Sequence, residues 1–76
     1  MVTYMEHIDE LTQVKRRAKS LGLSISTCAV NSGVYPAQIS RWLSGATIPK
    51  ITTFRAAMRK MQLYLDQVEQ ERKGAA

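Results

Sequence analysis

The sequence predicts an all-α fold, a compact bundle of four or five helices, on three observations. Apolar residues recur at helical spacing along both ends of the chain. Gly22, Gly33, Pro36, Gly45 and Pro49 punctuate the middle, where helices would stop and start. The chain has 76 residues and one cysteine, so there is one core and no intrachain disulfide. A chain of this length buries only about 60% of its unfolded surface. It must rely on well-packed helices or on a second copy of itself.

The first helix is expected to start at Thr3, with Thr3 and Glu6 forming a capping box. Tyr4, Ile8, Leu11, Val14, Ala18 and Leu21 form its apolar stripe, and Gly22 is its stop. Acids in its first turns and bases in its last suit the helix dipole. Ser24 should cap a short second helix over residues 25–32, which Gly33 ends. A third helix begins at Pro36, because a proline's missing amide costs nothing in a first turn. It runs to about Ser44 and stops at Gly45. The loop 46–49 leads into a last helical stretch, residues 50–73, with Ile51, Phe54, Met58, Met61, Leu65 and Val68 in helical register. That stretch reads as one long helix or as two that bend near Gln62. Residues 1–73 make a single domain, and the tail 74–76 is expected to be disordered.

Charge is distributed more tellingly than the net +5 suggests. All six acids lie near the ends: Glu6, Asp9 and Glu10, then Asp66, Glu69 and Glu71. The stretch between Leu11 and Leu65 contains none, yet it carries Lys15, Arg16, Arg17, Lys19, Arg41, Lys50, Arg55, Arg59 and Lys60. An acid-free basic stretch suits a surface that meets phosphates, because a nearby carboxylate repels them. Arg17 and Lys50 are therefore expected to contact phosphate.

The third helix carries the sharper signal. At 100° per residue, Ile39, Trp42 and Leu43 cluster on one side, and Ala37, Ser40, Arg41 and Ser44 on the other. Small residues and hydroxyls around one arginine let a helix sit deep in a major groove about 12 Å wide. An arginine there can donate two hydrogen bonds to guanine O6 and N7. Arg41 and Ser40 are expected to contact bases. A solvent face would more often carry Glu and Lys.

The segment SISTCAVNSGVYPAQISRWLSGATIPK resembles the helix-turn-helix of the Cro and lambda-repressor (XRE-type) family, with the unit at residues 24–45. The run QISRW, followed by IPK, also resembles the lambda CII lysogeny activator. The resemblance implies that Ala29 is the small residue at the helix crossing and Gly33 the turn glycine. It implies that Val34, Ile39 and Trp42 are buried. Pro36, Ala37, Gln38 and Arg41 then face bases, and Tyr35 lies at the groove edge. Ser44 and Thr47 lie near the sugar-phosphate backbone, and Ser24 and Ile25 offer amides to a phosphate. Two kinds of departure from the family stand out. Ile25 and Pro36-Ala37 stand where polar residues are common, and Leu43 stands where a charge is usual.

Other residues read as structural. His7, the only histidine, sits among polar positions and cannot form a metal site alone. Cys28 belongs to the core. Met1, Met5, Met58 and Met61 are gap-fillers, and Trp42 is a core anchor. No catalytic or metal constellation is present, so neither an enzyme nor a cofactor or small-molecule ligand is expected. The acidic N-terminus is not a signal peptide, no stretch spans a membrane, and a reduced cytoplasm is the default.

The expected function is a phage or bacterial transcription regulator, a repressor more than an activator, bound to double-stranded DNA as a homodimer on a palindrome. Leu63, Leu65 and Val68 are expected to bury against the same residues of the second copy, unless the first helix folds back over them. An antitoxin-like protein-interaction module is the rival reading. A basic helical protein that binds nucleic acid without sequence preference is another.

Overall fold

The structure, a computed structural model, describes residues 4–75, and side-chain surroundings for residues 8–74. The expected cap of Thr3 and Glu6, the side chains of Tyr4 and His7, and the roles of Met1 and Met5 lie outside the described residues. Four helices follow one another: α1 Tyr4–Ser20, α2 Ile25–Ser32, α3 Pro36–Ser44 and α4 Ile51–Ala75. There is no strand among the described residues. The all-α expectation holds, with four helices. No helix is long and apolar enough to cross a membrane among the described residues.

Local chemistry sets the short helices. The Ser24 hydroxyl accepts from the Thr27 amide at 3.1 Å, satisfying one of the orphan donors of the first turn. At the other end of α2, Gly33 has φ +81°. Its amide donates to the Val30 carbonyl at 3.1 Å, and the Val34 amide reaches back to Ala29 at 2.8 Å. These two bonds form a left-handed C-terminal cap that an L side chain would strain. α3 ends the same way, the Ala46 amide bonding to the Arg41 carbonyl at 2.9 Å.

The core gathers Leu11, Val14 and Ala18 from α1, Cys28 and Ala29 from α2, Ile39 and Trp42 from α3, and Phe54, Met58, Met61 and Leu65 from α4. Each fully buried aliphatic side chain of this kind contributes about 1.5–3 kcal/mol. The rings of Trp42 and Phe54 pack at 5.6 Å with 35° between planes. That contact ties α3 to α4, although no Cα of α3 comes within 8 Å of one in α4. α4 packs on both α1 and α2, and α3 packs on α2 and α1.

α4 is one continuous helix of 25 residues. At 1.5 Å per residue it is about 37 Å long, nearly the molecule's longest dimension of 41 Å. It begins at Ile51, where the Phe54 amide already bonds to the Lys50 carbonyl at 2.9 Å. Its far end corrects one expectation. Gly74 and Ala75 continue the helix instead of forming a loose tail. Arg72 donates from Nη2 to the Leu21 carbonyl and so holds the last turns of α4 against the end of α1.

Candidate nucleic-acid interface

The α2–turn–α3 unit is compact because Ala29, at 0% exposure, puts only a methyl between the two helices. The turn then aims α3 so that Ile39 and Trp42 point inward. Ala37, Ser40, Arg41 and Ser44 are exposed, as the helical wheel requires. Gln38 and Pro36 are half-buried at the edges of that face. Leu43 is partly buried and packs against the core of its own chain.

The gap between α3 and α4 forms an open depression of about 660 Å³. Tyr35, Gln38 and Arg41 line it from α3's side, Thr47 and Lys50 from the loop, and Thr53 from α4. Trp42 and the buried Pro49 form part of its wall. A second depression of about 380 Å³ continues past Tyr35, Gln38 and Thr53 to Lys60. Six of the residues expected at a DNA contact thus share one concavity: Tyr35, Ala37, Gln38, Arg41, Thr47 and Lys50. Ser40 and Ser44 lie on the adjoining arc of α3, and the Ser44 hydroxyl is turned back onto the Arg41 carbonyl at 3.2 Å.

No acid lines either depression. Arg41, Lys50 and Lys60 make no ion pair among the described residues. Their charge is left to solvent or to a partner.

Ser24 and Ile25 sit at the start of α2, exposed and half-buried respectively, and line neither depression. The Ser24 hydroxyl is occupied by its cap, and it also donates to Thr27 Oγ1 at 2.9 Å.

Arg17 is a correction. Its guanidinium donates to Gln62 Oε1 at 2.6 Å, Asp66 Oδ1 at 2.5 Å and Glu69 Oε2 at 2.8 Å. Its hydrogen bonds to Asp66 and Glu69 push its already high pKa higher still, so it stays charged and occupied. It is a strut between α1 and α4, with its guanidinium already held by two carboxylates.

Leu65, one of the three residues expected at an interface between copies, is the second correction. Leu65 is 0% exposed in the core of a single chain, Val68 is half-buried, and only Leu63 is open, at 58%. α1 covers this half of α4, the arrangement expected if the first helix folds back. Leu65 therefore cannot meet a second copy.

Sequence reasoning missed Thr53, Lys60 and the 72% exposed Ile48 as parts of this surface. Thr53 and Lys60 are seven apart, on one edge of α4, so a wheel of α4 would have paired them. Nothing local marks Ile48.

Cys28 is fully buried, and burial raises its thiol pKa, as suits an inert core residue. Among the described residues no cluster of His, Cys, Asp or Glu could hold a metal. Comparison of the chain with protein-family models, with curated proteins and with solved structures gave no match.

Proposed function

We propose that this chain binds double-stranded DNA at specific sites and regulates transcription, with α3 lying in the major groove. One observation carries the reading. Beside the small-residue face of α3 lies an acid-free concavity whose cations, Arg41, Lys50 and Lys60, make no ion pair among the described residues. Unpaired cations around a groove that excludes carboxylates suit a polyanion. A face built of Ala37, Ser40, Arg41 and Ser44 suits close approach to base edges.

In this reading Arg41 reads guanine, Lys50 and Lys60 meet phosphates, Thr47 contacts the backbone, and Tyr35 stands at the groove edge. One such helix reads only a few base pairs, so two copies on a palindrome one turn apart would supply the specificity. Repression by occupancy, in the cytoplasm of a bacterial host, is the simplest use of such a complex.

The test is selection of bound duplexes from a random pool, followed by salt titration of the selected site. Lys50→Ala should flatten the logarithmic salt slope by about 0.9 per subunit. Arg17→Ala should leave that slope unchanged, because Arg17 is already paired with Asp66 and Glu69. Arg41→Ala should cost about 1–3 kcal/mol and relax preference at one base per half-site. Equal affinity for selected and random duplexes would overturn the sequence-specific reading, and a flat salt dependence would overturn DNA binding itself.

A further inference from the structure

The first turn of α3 presents carbon where hydrogen-bonding groups would be expected. Tyr35, its cap residue, is 80% exposed and makes no side-chain cap bond. Pro36 follows without an amide hydrogen, and Ala37 offers only a methyl. Behind Tyr35 lies a shallow depression of about 310 Å³, lined by Val30, Gly33, Val34, Tyr35 and Pro36. Apart from the tyrosine hydroxyl, no side chain in that lining is polar. Val30 stands 60% exposed at its rim.

Exposed apolar groups and cations without an ion pair among the described residues stand side by side on this surface. Here the rim adjoins Gln38 and Arg41 at one end of the acid-free concavity. A partner that fits both must be anionic and must carry small apolar groups at the right depth. In the major groove one base feature is apolar, the C5-methyl of thymine. Resting on the DNA reading above, we propose that Tyr35, Pro36 and Ala37 read thymine through this methyl, beside the guanine contact of Arg41. Site choice then depends on methyl burial at the turn that begins α3, with few hydrogen bonds to bases.

Deoxyuridine differs from thymidine by that methyl alone, so it isolates the effect. Each thymidine of the selected duplex is replaced in turn by deoxyuridine, and affinity is measured at fixed salt. Contacted positions should weaken about fourfold each, from roughly 0.8 kcal/mol per buried carbon and 1.4 kcal/mol per tenfold. The double variant Tyr35→Ala with Ala37→Gly, shown to be folded by circular dichroism, should bind the two duplexes alike. A fully substituted duplex that binds within twofold of the thymine duplex, yet remains preferred over random DNA, overturns the inference and leaves the DNA reading standing. Undiminished discrimination in the double variant also overturns it. If no duplex is selected at all, the DNA reading fails and the inference fails with it.

Discussion

Replacing Leu65 by alanine separates a core residue from an interface residue, because the two make different demands on concentration. Leu65 has no exposed surface within one chain. Truncating a buried leucine to alanine costs about 2–5 kcal/mol, the lost transfer energy plus the cavity left behind. A chain of 76 residues, at about 0.05–0.15 kcal/mol per residue, has roughly 4–11 kcal/mol in total. The substitution therefore removes a large share of the stability. For a domain of this size it lowers Tm by at least about 8 °C.

The assay is urea and thermal unfolding by circular dichroism, repeated over a hundredfold range of protein concentration. The loss should be the same at every concentration, because Leu65 packs against its own chain. Leu63→Ala is the control. At 58% exposure it should change stability by no more than about 0.5 kcal/mol in either direction. A Leu65→Ala variant that melts like the parent at low concentration, and differs only where the parent self-associates, would refute the argument. It would return Leu65 to an interface between copies.

Two further outcomes follow from local geometry. Gly33→Ala should destabilise the chain by about 1–2 kcal/mol in urea unfolding, the cost of a left-handed L residue. A Cβ there meets nothing within 4 Å, so the loss is one of backbone conformation and not of crowding. For Cys28, burial raises the thiol above its ordinary value of 9.0, so the folded chain holds that proton more tightly than the unfolded chain. Its contribution is complete below pH 9.0 and is lost as the pH rises through the folded value. Stability should hold level on this account through neutral pH and fall in alkali. Alkylation by iodoacetamide should follow the urea transition, and labelling of the native chain at pH 7 would contradict the buried placement.

The boundaries of α2 and α3 were legible because local residues set them. Ser24 caps, Gly33 and Gly45 take the left-handed conformation, and Pro36 opens a helix. The inward and outward faces of α3 followed from its period alone. What the sequence hid is held by distant partners. Arg17 looked free because no acid lies near it in the chain, yet Asp66 and Glu69 reach it across 49 and 52 residues. The tail looked loose because Gly74 weakens a helix, yet Arg72 fastens the preceding turn to Leu21, 51 residues away. The stripe on α4 showed that Leu65 would be covered. It could not show whether α1 or a second chain would cover it, since either presents the same period.

These distant contacts also explain how one long helix can serve two electrostatic purposes. The N-terminal half of α4 contributes Thr53 and Lys60 to the acid-free concavity. Its C-terminal half carries Asp66, Glu69 and Glu71. At 1.5 Å per residue, Thr53 and Asp66 are about 20 Å apart along the helix axis. At physiological salt the Debye length is about 8 Å, so a charge at Asp66 is largely screened at Thr53. Pairing with Arg17 weakens that field further, because the guanidinium takes up both Asp66 and Glu69. Arg17 thus serves the proposed DNA surface without touching it. It offsets part of the charge of the two carboxylates of α4 that lie closest along the helix to Lys60, while Arg41, Lys50 and Lys60 make no ion pair among the described residues. The sum of charge on this chain is a poor guide to that division. The rigid separation of the acids from the groove, set by the continuity of α4, is what leaves the basic face unopposed.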